Sequence, residues 1–479
     1  MAKLIEVLLL GLLAILCQGD ETKVKWTDWC SECKCANNVD SMIIDCTKTF
    51  PPAPQTWPKE FVEDEHATNK SLMVTIHFTT MKKLLPFPEM KSKRVTMSLQ
   101  NCQIEEISSA AFKNIKNIYF LSLAFNRLTG EAMRAEIFKG PYDNNLYEPI
   151  DLEVLHLESN LIHSLDRKIF EHTPKLRRLY LFNNPLGVLD DVTILALASL
   201  KNLQLLDLSY TGISYLPDDL MRNTKSLQDL RLSGNKFKTV PESLGSVGSS
   251  LRWLTLNKNN IEQIDDNSFL GLWRLEHLEM GNMDELRRVK AGAFAQLRSL
   301  TMLHMVHNKN LREIDHDAFR ELKKNWPIQE LYLQDNSLET LPADLAPWGQ
   351  LHSVNLENNN WICDCRMAIN IKTKGIWRKI PLTSNARCTT PTAMGGVKLV
   401  DLNPDTLCSA NERNNITFGP PRYPLRSITR RSGSILVALG FVCSVVVLGL
   451  SIGCCLSYLR NKLKKVTFVE EVRYSHLIT

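Results

Sequence analysis

The chain lacks a surplus of either charge. Over 479 residues, 57 Lys plus Arg stand against 52 Asp plus Glu, and even the net +5 is local. Residues 460–479 carry +3, four arginines between 422 and 431 carry +4, and residues 1–19 cancel, which leaves −2 for 20–421. A nucleic-acid-binding surface is thereby excluded for the bulk of the chain, because such surfaces concentrate positive charge. Cysteine is missing from the middle: of 13 in all, one lies between Cys46 and Cys363. Catalytic signatures are missing as well, with no nucleophile elbow, phosphate-binding glycine loop or H-E-x-x-H. His304-Met-Val-His307 has metal-like spacing, but it lacks a Glu, and alternation along a strand sends its two imidazoles to opposite sides. No enzyme activity, metal or cofactor is expected. What the chain has is an ordinary globular composition, 44% hydrophobic and 23% charged, which excludes wholesale disorder.

Long uncharged apolar runs are scarce, and the two present bracket the chain. Residues 1–19 place Lys3 before an apolar run, Leu8–Cys17, and Gly19 before Asp20, which reads as a secretory signal peptide that takes Cys17 with it. No charge occurs from Ser432 to Leu459, so residues 433–459 predict a transmembrane helix. Basic residues flank that helix on both sides and nearly tie under the positive-inside rule; the leader breaks the tie. Residues 20–431 are then extracellular and 460–479 cytosolic, a single-pass type I cell-membrane topology. The charged tail after the span argues against a glycolipid anchor, and Lys462, Lys464 and Lys465 are expected at anionic headgroups. The sequons at Asn69 and Asn415 both fall on the expected outside and are the candidate glycosylation sites. That compartment favours disulfides over zinc for the cysteine groups 30, 33, 35, 46 and 363, 365, 388, 408, although spacing alone leaves three connectivities in each.

Between these groups one unit recurs. Leu176-Arg-Arg-Leu179-Tyr-Leu181-Phe-Asn-Asn184-Pro-Leu186 is followed in register by Leu227-Gln-Asp-Leu230-Arg-Leu232-Ser-Gly-Asn235-Lys-Phe237 and by Leu251 to Ile261. The asparagine slot falls at Cys102, Asn126, Asn160, Asn184, Thr211, Asn235, Asn259, Met283, Asn308, Asn336 and Asn359, and Met73 to Leu84 reads as a degenerate earlier copy. The pattern resembles the leucine-rich repeat, over roughly residues 72–361. The resemblance implies an α/β solenoid: a curved parallel sheet on the concave face, an irregular or short-helical convex side, and leucines stacked into one core. It also overrides the count of about three domains that length alone would suggest. The asparagine amide is expected to satisfy buried backbone at each turn, and Cys102 is then a packed thiol rather than a reactive one.

Cys30-x-x-Cys33-x-Cys35-x10-Cys46 resembles the cysteine-rich N-terminal cap of extracellular repeat proteins. Asn359-Asn-Trp361-Ile-Cys363-Asp-Cys365, with Cys388 and Cys408, resembles the C-terminal cap, with Asn360 where the pattern usually has proline. The resemblance implies the pairs Cys30–Cys35, Cys33–Cys46, Cys363–Cys388 and Cys365–Cys408. The expected organisation is a leader (1–19), N-terminal cap (20–71), repeats (72–358), C-terminal cap (359–410), stalk (411–432), membrane helix (433–459) and cytoplasmic tail (460–479).

Period-two alternation places the x residues of x-L-x-L-x on the concave face. Among them Phe120, Val154, His156, Arg178, Tyr180, Phe182, Leu205, Arg231, Trp253, Met302 and Tyr332 form the candidate partner-binding set, since exposed aromatics with arginine are the composition of binding hot spots. The expected function is a cell-surface adhesion or recognition receptor for an extracellular protein ligand. The insertion at Thr129–Pro149 is a second candidate contact. The alternative is a signalling co-receptor: Tyr474-Ser-His-Leu477 fits a tyrosine sorting pattern and also resembles an inhibitory motif that docks an SH2 domain once phosphorylated. Gly449 and Gly453 have the spacing of a transmembrane homodimer contact, and Cys454 and Cys455 sit where palmitoylation is chemically reasonable. No toll-type or immunoglobulin module accompanies the repeats.

Overall fold

The computed structural model describes residues 33–47, 57–143, 145–342, 344–373, 376–378 and 384–409, together with Cys30. All belong to the first of the two units into which the chain divides, Met1–Ile416. The leader, Asn415, the 433–459 segment, Gly449, Gly453, Tyr474 and Leu477 lie outside the described residues. Among the described residues no helix is long and apolar enough to cross a membrane.

Each L-x-L triplet becomes a short strand because its leucines point inward and its alternate residues point out. The strands build one 14-stranded sheet, from Lys34–Asn37 to Ser353–Asn355. The first two strands pair antiparallel as a cap hairpin, and every later pairing is parallel. Register is unbroken through the centre, where Val154, Arg178, Leu205, Asp229 and Trp253 stand opposite one another in turn. Behind the sheet a single apolar cluster runs from Cys33 to Leu402. Truncating one of its leucines to alanine should cost about 2–5 kcal/mol.

Each strand ends where the chain reverses into the left-handed region. Phe78, Asn101, Phe125, Ser159, Asn183, Tyr210, Gly234, Lys258, Asn282, His307, Asp335 and Asn358 all have φ between 51° and 68° and fall one residue before the asparagine slot. That conformation costs non-glycine residues roughly 1–2 kcal/mol each. The asparagine ladder offsets it. Asn235 Nδ2 donates to the carbonyls of Leu232 (3.0 Å) and, one repeat back, Leu208 (2.8 Å), while its Oδ1 accepts from the Thr211 and Ile213 amides at 3.2 Å. Asn126, Asn160, Asn184, Asn259, Asn336 and Asn359 repeat the arrangement. Each repeat thus satisfies the buried turn of the one before it. In the substituted slots Thr211 Oγ1 donates to Leu208 O (2.7 Å) and Cys102 Sγ to Ile76 O (3.1 Å), and burial pushes the Cys102 thiol up. The degenerate copy is a full structural repeat, with strand Ser71–His77, Phe78 at the turn and buried Thr79 in the slot.

The convex side differs along its length. Phe87, Phe112 and Phe138 stack at 6.1 and 6.0 Å, and Phe269, Phe294 and Phe319 at 5.8 and 4.8 Å. Between the stacks the return segments are helical, at Asp191–Ala198, Asp218–Asn223 and a 3-10 turn at Glu242–Val247. Asp190 caps the first of these, accepting from the Thr193 amide at 2.9 Å. Cys30–Cys35 and Cys33–Cys46 close one end; Cys363–Cys388 and Cys365–Cys408 close the other, with Trp361 buried and its indole donating to Leu356 O (2.9 Å). These are the pairs that the cap resemblance implies.

Candidate concave binding face

Parallel strands set about 4.8 Å apart bring like positions of successive repeats into side-chain contact, so the strand-facing residues form rows across the sheet. In the first half these rows are aromatic. The His156 ring stacks on Tyr180 with centroids 4.1 Å apart and 13° between planes, and Phe120 lies 5.1 Å away on its other side. His156 Nδ1 is 2.9 Å from Glu158 Oε1. Burial pushes the Tyr180 hydroxyl up, so it stays protonated. Phe182 meets Tyr210 edge-on at 5.4 Å. Tyr210 occupies the lip because the next repeat has Gly234 beside it: at φ +68° a Cβ there would come within 2.5 Å of the tyrosine ring. Lys258 Nζ lies over the Tyr210 ring, 5.5 Å from its centroid.

A charged band crosses the middle. Arg231 reaches Asp229 through Nη2 (2.8 Å) and Nε (3.3 Å), and its Nη1 is 3.9 Å from Asp207. Asp207 is buried, which pushes its carboxyl up, and it accepts from the Ser209 amide at 2.9 Å.

Past the band the rows mix rings with carboxylates. Trp253 stacks on His277 at 4.5 Å and His304 meets Tyr332 edge-on at 4.5 Å. Tyr332 donates its hydroxyl to Glu330 Oε2 (3.1 Å), and Asn257 Nδ2 donates to Glu279 Oε2 (3.0 Å). His277 Nδ1, His304 Nε2 and Gln334 Oε1 are shielded and find no hydrogen-bond partner among the described residues. Burial holds the His304 imidazolium below its ordinary 6.5, with Glu279 and Glu330 opposing and His277 assisting.

The structure sorts the sequence-predicted residues. Phe120, His156, Tyr180, Phe182, Trp253, Met302 and Tyr332 are half-buried on the concave side, and Arg178 is exposed there. Val154 and Leu205, expected to face solvent, are instead buried at 6% and 8% exposure. Phe120 and Arg178 stand opposite Val154, and Arg178 opposite Leu205, so longer side chains one strand away flank both. Arg231, expected to serve a partner, is committed to Asp229 and Asp207. His304 lies on its strand, whereas His307 sits beyond it at the left-handed turn, 3.5 Å from Asp335. Among the described residues no group of three or more potential metal ligands forms.

The insertion has two parts. Met133, Ile137 and Phe138 enter the core, while the hairpin Tyr142–Asp143 and Leu146–Tyr147 stands out, with Tyr142 60% and Leu146 73% exposed. Asn69 is exposed at the end of the 3-10 turn Ala67–Asn69. Alternation places His277, Glu279 and Glu330 on the concave face, outside the candidate partner-binding set, and sequence reasoning passed over Tyr210. A signal for Tyr210 was present: aromatics recur at Phe78, Phe125 and Tyr210, always one residue before the slot.

Leucine rich repeat family models match residues 150–205 and 249–309, and a second such model matches 226–247. The chain is built of leucine-rich repeats. Its solenoid ends in disulfide-bonded, cysteine-rich caps. It is 28% identical to podocan of Mus musculus over 55% of this chain and 44% of that protein. It is 30% identical to tsukushi of Gallus gallus over 43% of this chain and 54% of that one, and 30% identical to trophoblast glycoprotein of Mus musculus over 54% and 55%. The repeat protein spans about half the length of the curated relatives it matches. Its fold matches a chain of the octameric complex of Latrophilin 3, Unc5D and FLRT2 with a TM-score of 0.50 at 22% identity, covering 79% of this chain and 98% of that one. A leucine-rich repeat protein of Leptospira interrogans matches with a TM-score of 0.50 at 22% identity, over 76% and 91%.

Proposed function

We propose that the chain is a cell-surface adhesion or recognition receptor that captures a protein partner on the concave face of its repeats. The observation that carries this reading is the run of rings from Phe120 through His156 to Tyr180, Phe182 and Tyr210, spanning four successive repeats. Rings on short, hydrogen-bonded strands are pre-organised, so binding them orders few side chains, and half-buried rings offer contact area at low entropic cost. Four disulfides support an extracellular compartment, and the uncharged 433–459 segment supports a membrane anchor.

The test displays the full chain on cells, identifies the captured surface or secreted protein, and repeats the binding with Tyr180→Ala plus Phe182→Ala. Binding should fall by more than 2 kcal/mol, the range of hot-spot losses, while surface display stays normal. Unchanged affinity in a normally displayed variant rejects this face.

A further inference from the structure

The two ends of the concave face differ in charge, and the difference names a ligand chemistry. Resting on the reading that this face is the recognition surface, the inference concerns the half beyond Arg231. Along its five strands the strand-facing positions run from Trp253 to Glu357. They include three carboxylates, Glu279, Glu330 and Glu357, and no lysine or arginine.

Two cations that border these strands have partners of their own. Arg252, one position before Trp253, pairs with Glu276, and Lys258 is turned towards the Tyr210 ring. Among the described residues neither Glu279 nor Glu330 pairs with a lysine or arginine; each is held by a neutral donor, Asn257 Nδ2 or Tyr332 Oη. Their carboxylates are oriented but not neutralised. His304, on the strand between them, does not compensate, because burial favours its uncharged form.

Around these carboxylates stand the rings of Trp253 and Tyr332, and an aromatic face attracts a cation through its quadrupole. The register sets Glu279 opposite His304 and Glu330 opposite Met302, so the two carboxylates stand two strands apart and two residues out of line, roughly 12 Å between backbones, a spacing suited to two separate positive side chains. An anionic ligand would meet only repulsion here.

We propose that the surface from Trp253 to Glu330 receives a basic segment of the protein partner, whose lysine or arginine side chains lie along the Trp253 and Tyr332 rings and place their charges at Glu279 and Glu330. Such a contact gains from low local dielectric and weakens with salt.

The test uses the purified full chain and two fluorescent synthetic peptides, one of alternating lysine and serine, the other of alternating glutamate and serine. The lysine peptide should bind, less tightly as salt rises, and the glutamate peptide should not. Glu279→Gln with Glu330→Gln keeps both hydrogen-bond acceptors and should weaken the lysine peptide about ten-fold or more, a loss typical of close charge pairs. Trp253→Leu should weaken it less, and Tyr180→Ala with Phe182→Ala should leave it unchanged. A control, Glu262→Gln with Glu313→Gln, removes two carboxylates from the return segments and should have no effect. The proposal is overturned if the Glu279/Glu330 variant binds the lysine peptide like wild type, if the control weakens it equally, or if the glutamate peptide binds as well. Because the Tyr180 and Phe182 variant is scored on the captured partner, failure of the general reading and failure of this inference give different results.

Discussion

The two halves of the concave face share one backbone and divide at Arg231. Before it, Phe120, His156 and Tyr180 form a row of touching rings in which the histidine is satisfied by Glu158, and Phe182 meets Tyr210 beside it. Beyond it, Trp253, His277, His304 and Tyr332 pair off with gaps between, two imidazole nitrogens lack partners, and carboxylates stand among the rings. Strand spacing and register are the same on both sides, so the difference lies wholly in side chains. A solenoid therefore lets surface chemistry vary from repeat to repeat while the buried leucines and asparagines stay fixed, because each repeat touches only its neighbours.

The largest effect should come from breaking what the halves share. Asn259 sits one repeat past Arg231, donating to Leu232 and Leu256 carbonyls and accepting from the Phe237 amide at 3.2 Å. Asn259→Leu leaves those buried groups unpaired, at about 1–3 kcal/mol for each one not rescued. Thermal unfolding of the purified chain should shift down by several degrees, and binding at both halves should suffer together. A variant that melts like wild type would show that the ladder is not the common support.

Binding comes next and separates the halves. Loss at Tyr180 and Phe182 removes apolar contact, so the deficit should be similar at low and high salt. Loss at Glu279 and Glu330 removes charge, so the deficit should shrink as salt rises. Titrations of the captured partner at two ionic strengths check both, and equal salt dependence in the two variants would erase the comparison.

Much of this layout was legible beforehand, for physical reasons. The buried leucines announce themselves because stacking demands the same residue at the same offset in every copy, and the asparagines because the buried turn has one good solution. The cysteine groups marked the ends because an elongated core must be covered there. Burial of Val154 and Leu205 was not legible: alternation gives the direction of a side chain but not the length of its neighbours one repeat away. The phenylalanine stacks were written in the sequence as a Phe recurring every 25 or 26 residues, at Phe87, Phe112 and Phe138 and again at Phe269, Phe294 and Phe319, but one ring per copy is a weaker signal than the several leucines around it. The acidic character of the second half needed register, since Glu279 and Glu330 are 51 positions apart in sequence and two strands apart in space.

A smaller effect should appear at the edge of the aromatic half. Gly234→Ala places a methyl against Tyr210 at a left-handed φ, and should cost about 1 kcal/mol or somewhat more. The displaced ring should also loosen its contact with Phe182, so partner affinity should fall while the lysine peptide is unaffected. A normal melting temperature with normal partner binding would show that Tyr210 has other room to move.

The smallest effect is a proton. In the folded chain burial lowers the affinity of His304 for its proton, with His277, Glu279, Glu330 and Tyr332 facing it. The unfolded chain binds that proton at the ordinary 6.5, so the favourable difference is complete above 6.5 and is lost as pH falls below it towards the lower folded value. His77 and His172 are shifted in the same direction by burial and contribute acid sensitivity of their own. The informative quantity is therefore the difference between wild type and His304→Gln. Melting temperatures measured from pH 7.5 to pH 5 should fall less steeply in the variant. If His304→Gln falls as steeply as wild type, the buried imidazole of His304 does not carry the acid sensitivity of this half. If the variant falls less steeply, acidification also places positive charge beside Glu279 and Glu330, and the lysine peptide should release over the same pH interval.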